Sequence, residues 1–183
     1  KGLTVVSSPG VWVVQNDSDV LFDDGEILPR NGLEAIAEDG DPSGALSALA
    51  DLEDVASVGQ IGDAPLAPGA STTFTVTAFP GQRLGLATMF VPSNDLLFAT
   101  NEDGIPLFDE DGNPRGGIVT NSISLWDAGT EENQQPGVGL DQVHLQDSPN
   151  TGTLDSDEEV RMVDDGFDYP MVSDVLEVEI TVQ

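Results

Sequence analysis

Residues 72–91 read TTFTVTAFPGQRLGLATMFV, and this stretch decides the fold class. Thr72–Phe79 alternates hydroxyl and apolar side chains, which is typical of a strand with one buried face. Arg83–Val91 is almost continuously apolar and predicts a buried strand. Pro80-Gly81 lies between the two runs and indicates a turn, so the whole stretch predicts a β-hairpin.

Further extended stretches flank this hairpin along the chain: Gly2–Val14, Ile118–Trp126 and Asp174–Val182. They are rich in β-branched residues, and the last one alternates cleanly between two faces. Short strands with frequent turns and no βαβ rhythm predict an antiparallel β-sandwich. We therefore expect one all-β-dominated domain that spans residues 1–183.

The only helical pattern forms a short insertion over about residues 31–54. Asn31 with Glu34 has the spacing of a capping box, and Gly40 follows the first helix. Asp41-Pro42 opens a second helix, because a capping residue precedes a proline at the first helical position. The apolar residues of this second helix recur every three positions and predict packing against the sheet.

The charge of the chain is extreme: 34 acidic residues oppose 5 basic ones over 183 residues, a formal net charge of -29. This balance indicates either a protein adapted to molar salt, a halophilic protein, or an acidic disordered chain. An apolar content of 38% and the strand-like runs favour a folded core. Because Lys/Arg clusters are absent, nucleic acid is not an expected partner.

The absence of cysteine excludes disulfides, thiolate catalysis and cysteine-based metal sites. No apolar run approaches the ~20 residues that span a bilayer, so we expect no membrane insertion. The chain begins at Lys1 rather than methionine, which indicates that an upstream segment was removed, either as a signal segment or by an artificial cut. A removed signal segment favours an extracellular location.

Acidic side chains on loops are the candidates for metal binding, because Ca²⁺ prefers hard oxygen ligands on flexible loops. Asp127 and Glu131 follow the apolar run that ends at Trp126, and Asp95 follows the buried strand. Asp109–Asn113 faintly resembles a calcium loop but lacks its ligand series, so we interpret it as a turn. In so acidic a chain, composition alone leaves Asp95 and Asp127 equally consistent with surface charges.

Several stretches in colinear order carry a resemblance: residues 8–10, 32–43, 68–71, 79–84, 87–95 and 126–131. Together they resemble the spondin N-terminal domain family, which occurs in F-spondin and in many secreted bacterial and archaeal proteins. The Ala37-Glu38-Asp39-Gly40-Asp41-Pro42 stretch is similar to the prokaryotic, haloarchaeal branch in particular.

The resemblance implies a C2-like antiparallel β-sandwich with Ca²⁺ at one rim. The metal ligands of the animal members fall on Asp95, Asp127 and Glu131 here. The last of these is glutamate rather than aspartate, so its side chain is longer by one methylene group. Leu96 replaces the aromatic residue that usually follows the first aspartate. Prokaryotic relatives also carry a strand before the Ser-Pro-Gly region, where only Gly2–Ser7 precedes it in this chain. An incomplete first strand predicts an open sheet edge that invites strand addition from another chain.

Catalysis has little support in the sequence. His144 is the only histidine and alternates with apolar residues, as on a half-buried strand, and no Gly-x-Ser-x-Gly or P-loop motif occurs. We therefore expect no enzyme but a secreted calcium-binding adhesion or extracellular-matrix-type module, whose partner is an extracellular or cell-surface protein or glycan. The alternatives are a self-assembling subunit of an extracellular filament and a carbohydrate-acting enzyme.

Overall fold

Most strands join one antiparallel seven-stranded sheet in the computed structural model, which describes residues 7–16 and 20–183. The strands, in chain order, are β1 (Ser7–Gln15), β2 (Val55–Ile61), β3 (Arg83–Phe90), β4 (Leu96–Thr100), β5 (Ile105–Pro106), β6 (Gly117–Ile118), β7 (Ile123–Asp127), β8 (Arg161–Met162) and β9 (Glu179–Ile180). The order in the large sheet is β2-β1-β3-β4-β7-β8, with β5 also paired to β3, while β6 and β9 form a second, small sheet.

The predicted helical insertion is confirmed as two helices, α1 (Leu33–Asp39) and α2 (Ser43–Ala50). Gly40 ends α1 in the left-handed conformation, and the Asp41 carboxylate accepts a hydrogen bond from the Ser43 N–H at 2.9 Å. A single further turn, α3, covers Val172–Val175. Within the described ranges, no helix has both the length and the apolar character needed to cross a bilayer.

The large sheet is buried on both faces. One face packs against the two helices, with Leu33, Ile36 and Leu49 contacting strand residues that include Val11 and Val13. The opposite face carries a second core cluster, which includes Phe90 and Phe98, under a layer of short segments and the β6–β9 pair. This double burial explains why β3 is apolar almost throughout. The architecture confirms the predicted all-β, sandwich-like class.

The predicted hairpin is wrong, although its turn and its second strand are correct. Thr72–Phe79 forms no strand, and the backbone of residues 71–78 hydrogen-bonds to nothing in the described structure. The reason lies in the sheet order, since β3 already has β1 and β4 as neighbours and offers no edge. The alternating side chains still pack: Phe74 stacks on Trp12 with ring centroids 5.5 Å apart.

The two later strand predictions hold only in part. Asp174–Val182 begins within the α3 turn, and only Glu179–Ile180 pairs as a strand. The run from Ile118 is interrupted by a 3-10 turn at Thr120–Ser122 before β7 begins. The periodicity of the side chains predicts an extended backbone, but β-sheet hydrogen bonds also need a neighbouring strand as partner. The predicted first strand is confirmed over Ser7–Gln15, whereas Gly2–Val6 lies outside the described residues.

Candidate metal centre

The pairing of β4 with β7 brings the two predicted acidic loops to one rim of the sheet. Leu96, the first residue of β4, lies opposite Asp127, the last residue of β7. Asp95 precedes β4 directly, and residues 128–131 follow β7, so the two loops run side by side. The Ala128 N–H donates to the Asp95 carbonyl at 3.2 Å and closes this contact. The structure therefore brings Asp95, Asp127 and Glu131 together.

Asp95 is the centre of this rim and is 0% exposed. Its Oδ2 accepts hydrogen bonds from the Thr130 N–H at 2.8 Å, the Thr130 hydroxyl at 3.2 Å and the Glu131 N–H at 2.9 Å. Its Oδ1 has no hydrogen-bond partner, and neither has Oδ1 of Asn94, in the part of the chain that the structure describes. Buried polar atoms without a partner are rare and call for an explanation.

Glu131 contacts both of these residues through their other side-chain atoms. Its Oε1 accepts from the Gly152 N–H at 2.8 Å, and its Oε2 is 3.4 Å from Nδ2 of Asn94. A Cβ added at Gly152 would lie 1.9 Å from Oε2 of Glu131, so only glycine leaves room for this carboxylate. The chain from residue 152 thus forms one wall of the site.

Asp127 differs from its neighbours because it has a counter-charge. Its Oδ2 lies 2.8 Å from Nη2 of Arg161 and 2.7 Å from Nδ2 of Asn133, and its Oδ1 accepts from the Gly129 N–H at 2.8 Å. Nη2 of Arg161 is also 2.6 Å from the Asp155 carboxylate. Both oxygens of Asp127 are therefore committed to protein donors.

A fourth carboxylate, Glu38, belongs to this rim and was missed by the sequence analysis. It lies in the last turn of α1, is 3% exposed, and hydrogen-bonds to the Thr130 side chain. Asp95 and Glu131 are close enough to raise its pKa by charge repulsion. The sequence pointed to it only through its place in the haloarchaeal-like stretch, since nothing local distinguishes Glu38 from the exposed Glu34.

The electrostatics of the rim disfavour negative charge in the absence of a cation. Burial, together with repulsion from the Asp127 carboxylate, raises the pKa of Asp95 to about 7. Burial likewise raises the pKa of Glu38 to about 7, against the opposing hydrogen bond from Thr130. The pKa of Glu131 is also raised, chiefly by burial. A bound cation would reverse this preference.

The residues at this rim fit a hard divalent cation by their chemistry, since every candidate donor is a carboxylate or amide oxygen. No three Asp, Glu or His side chains of residues 7–16 and 20–183 already converge as a metal-binding group. Binding would therefore require side-chain rotation, for example breaking the long Asn94–Glu131 contact. Bound Ca²⁺ would supply positive charge to a buried cluster of carboxylates.

Two other residues singled out from the sequence are not part of this rim. The half-buried strand predicted around His144 is wrong, because this residue is exposed in a turn where its Nε2 lies 3.4 Å from the Gly137 carbonyl. Asp109–Asn113 is confirmed as a turn: Oδ1 of Asp109 accepts from the Asp111 and Asn113 N–H groups at 3.0 and 2.8 Å.

The chain matches no protein-family model and no curated protein. The resemblance to the spondin N-terminal domain family therefore stays a prediction that rests on the quoted residues. The candidate metal centre rests on its own geometry.

Proposed function

We propose that this protein is a secreted, calcium-binding adhesion or extracellular-matrix-type module that works in concentrated salt. The observation that carries the proposal is the fully buried Asp95, whose Oδ1 has no partner in the described structure and lies in a cluster of carboxylates. The oxygen-only donor set supports Ca²⁺ as the ion. The acidic surface, with a net charge of -29, supports a saline, extracellular setting.

The proposed ion is structural and has no catalytic task. It holds the loop before β4 against the loop after β7, and it thereby fixes the rim that meets an extracellular protein or glycan. Because the ion binds only the folded arrangement, it stabilises the protein by RT ln(1 + [Ca²⁺]/Kd). Rim loops carry recognition in many sandwich folds, which makes this end the surface to test for a partner.

The test compares thermal unfolding in molar KCl with added Ca²⁺ and with excess EGTA. We expect the chelator to lower the Tm of the wild-type protein and to leave the Tm of Asp95→Asn unchanged. Glu110→Gln is the matched control, since it removes one charge from an exposed loop and should keep the wild-type response. Equal Tm values for the wild type in Ca²⁺ and in EGTA would refute the proposal.

The adhesion role needs its own measurement, because calcium binding alone does not define a partner. A glycan array and a cell-surface binding assay, each run with Ca²⁺ and with EGTA, address the proposed partner classes. We expect the wild-type protein to bind a glycan or a cell surface only in the presence of Ca²⁺, and we expect Asp95→Asn to abolish this binding. Hydrolysis of any arrayed glycan would instead favour the carbohydrate-acting alternative.

A second candidate is a self-assembling subunit of an extracellular filament, built by β-strand addition between copies. The observation that favours it is residues 71–78, whose backbone groups bond to no described residue while Phe74 and Val76 pack on the second core cluster. A backbone without a hydrogen-bond partner among the described residues can accept an extended segment from another chain. We propose a second copy of this chain as the donor.

Electron microscopy and size-exclusion chromatography at high salt test this second candidate. We expect filaments from the wild type and from Thr75→Ala, and none from Thr75→Pro, because proline removes one backbone donor from the open segment. A monodisperse monomer for the wild type at every protein concentration would exclude the filament.

A further inference from the structure

We infer that Glu38 is a ligand of the proposed cation and that Asp127, held by Arg161, is a positioning residue and not a ligand. This inference rests on the proposed calcium site and assigns its donors. The inferred ligands differ from those that the resemblance implies at two positions. Glu38 from helix α1 is added, and Asp127 at the end of β7 is removed.

Four buried carboxylates lie at this rim, yet only one of them has a basic partner among the described residues. The salt bridges of residues 7–16 and 20–183 all involve Arg161, and of the four rim carboxylates they reach only Asp127. Glu38, Asp95 and Glu131 are at most 3% exposed and have no such partner. A buried charge without a counter-charge is strongly unfavourable, so these three carboxylates are the ones that need a cation.

Arg161 is itself held too firmly to be displaced easily from Asp127. Its Nη2 contacts the Asp155 carboxylate at 2.6 Å, and its Nη1 donates to the Asp157 and Glu159 carbonyls, each at 2.8 Å. A calcium ion at Asp127 would compete with a guanidinium that is anchored by several other acceptors. Asp127 therefore orients its loop through Arg161 and the Gly129 N–H.

Glu38 lacks the hydrogen-bond donors that an ionised carboxylate requires. Its one hydrogen-bond partner in the described chain is the Thr130 side chain, and that hydroxyl also donates to Oδ2 of Asp95 at 3.2 Å. A hydroxyl has one proton and cannot serve two carboxylates at once. Among the described residues, the ionised Glu38 side chain therefore has only this shared donor to offset the repulsion from Asp95 and Glu131.

The two orphaned oxygens belong to neighbouring residues that both contact Glu131. Asn94 reaches Glu131 through its Nδ2 and has its Oδ1 free, while Asp95 reaches the Glu131 N–H through Oδ2 and has its Oδ1 free. The inferred donors are thus Oδ1 of Asn94, Oδ1 of Asp95 and the carboxylates of Glu38 and Glu131. Water or backbone oxygens would complete the six to eight ligands of Ca²⁺.

The consequence is that the ion joins helix α1 to the sheet. Glu38 comes from helix α1, whereas Asp95 and Glu131 come from the loop before β4 and the loop after β7. A cation bound to all of them would couple the docking of α1 to the order of the rim loops.

Calcium titration calorimetry in molar KCl, on metal-free wild type and variants, tests the assignment. We expect Glu38→Gln to raise the Kd by about tenfold or more, because affinity follows the number of charged ligands. Glu34→Gln, on the exposed side of the same helix, is the matched control and should stay within about twofold of the wild type. Asp127→Asn should keep the Kd within about threefold and lower the Tm equally with Ca²⁺ and with EGTA.

Carbon-13 spectra of the side-chain carboxyls provide an independent readout. On calcium addition the Glu38 carboxyl signal should shift, and the Asp127 signal should shift less. Unchanged affinity in Glu38→Gln, or loss of binding in Asp127→Asn as complete as in Asp95→Asn, would overturn the inference. In that case the calcium site itself would stand, because wild-type binding and its loss in Asp95→Asn are measured separately. Absence of binding by the wild type would overturn both.

Discussion

The Glu131 N–H donates to Oδ2 of Asp95 at 2.9 Å, which ties together two loops that lie 36 residues apart in the chain. The same oxygen also accepts from the N–H and the hydroxyl of Thr130. One carboxylate oxygen thus organises the loop that follows β7, while the other oxygen of the same carboxylate is free to bind an ion. In the proposed site, this single side chain would therefore both organise the loop and bind the ion.

Removing this carboxylate should destabilise the protein even without calcium. Asp95→Ala leaves the Thr130 and Glu131 donors buried without an acceptor, so we expect the free energy of unfolding in EGTA to fall by about 2–4 kcal/mol. Asp95→Asn keeps an acceptor oxygen, so its free energy of unfolding should fall by less than half of the loss in Asp95→Ala. Chemical denaturation in molar KCl measures the difference. Equal losses in the two variants would show that the hydrogen bonds to Oδ2 do not organise the loop.

The calcium-free protein should become less stable as the pH rises from about 4 to about 7. The pKa of Glu38 is raised from 4.5 to about 7, and that of Asp95 from 3.8 to about 7, both chiefly by burial. The folded state therefore binds more protons than the unfolded state in this window, and stability is lost as the two carboxyls ionise. Melting curves of metal-free protein across this range provide the measurement.

Two comparisons separate the effect of the buried carboxyls on the Tm from the effect of the general surface charge in that pH series. Glu38→Gln cannot ionise at position 38, so its Tm should fall less steeply than that of the wild type. Saturating Ca²⁺ should oppose the loss, because the ion favours the deprotonated side chains. A metal-free Tm that rises between about pH 4 and about pH 7 would contradict the raised pKa values.

Arg161 should be important for stability with or without calcium. Arg161→Gln leaves Asp127 and Asp155 without their counter-charge, and we expect a loss of about 2 kcal/mol, which is less than for a fully buried pair because Arg161 is 30% exposed. Arg30→Gln removes an exposed arginine that makes no ion pair with any described residue, and it should be nearly neutral. Similar unfolding curves for both variants would argue against the Asp127–Arg161 pair as a structural contact.

Gly152 provides a steric test of the Glu131 position. A methyl group there would collide with the Glu131 carboxylate, so Gly152→Ala should displace this side chain and weaken calcium binding by about tenfold. Gly44→Ala is the control, since its added Cβ would meet only an ordinary contact 3.7 Å away within a helix. Calorimetry compares the two variants. Unchanged affinity in Gly152→Ala would remove Glu131 from the donor set.

Local patterns were sufficient for the sheet class, the two helices and the acidic loops at residues 95 and 127–131. They failed where pairing or burial depends on distant residues. Thr72–Phe79 alternates as a strand does, but whether it finds a partner depends on the sheet order, which places β1 beside β3. The alternation around His144 likewise gave no information on burial.

The same limit explains the differences at the metal centre. Glu38 is buried only because α1 docks beside the loops of the sheet, and its sequence neighbours give no sign of that position. Arg161 reaches Asp127 through the β7–β8 pairing, in which the two residues lie opposite each other. Neither relationship has a local signature, so the sequence alone could not predict the inferred division of the carboxylates into ligands and a positioning residue.

The central claim is a divalent-cation site built around Asp95, and calcium calorimetry on the metal-free wild type in molar KCl tests it most directly. We predict saturable binding of one ion per chain, with release of protons near neutral pH and no saturable binding by Asp95→Asn. An absence of saturable heat in the wild type, together with a Tm that calcium does not change, would contradict the account.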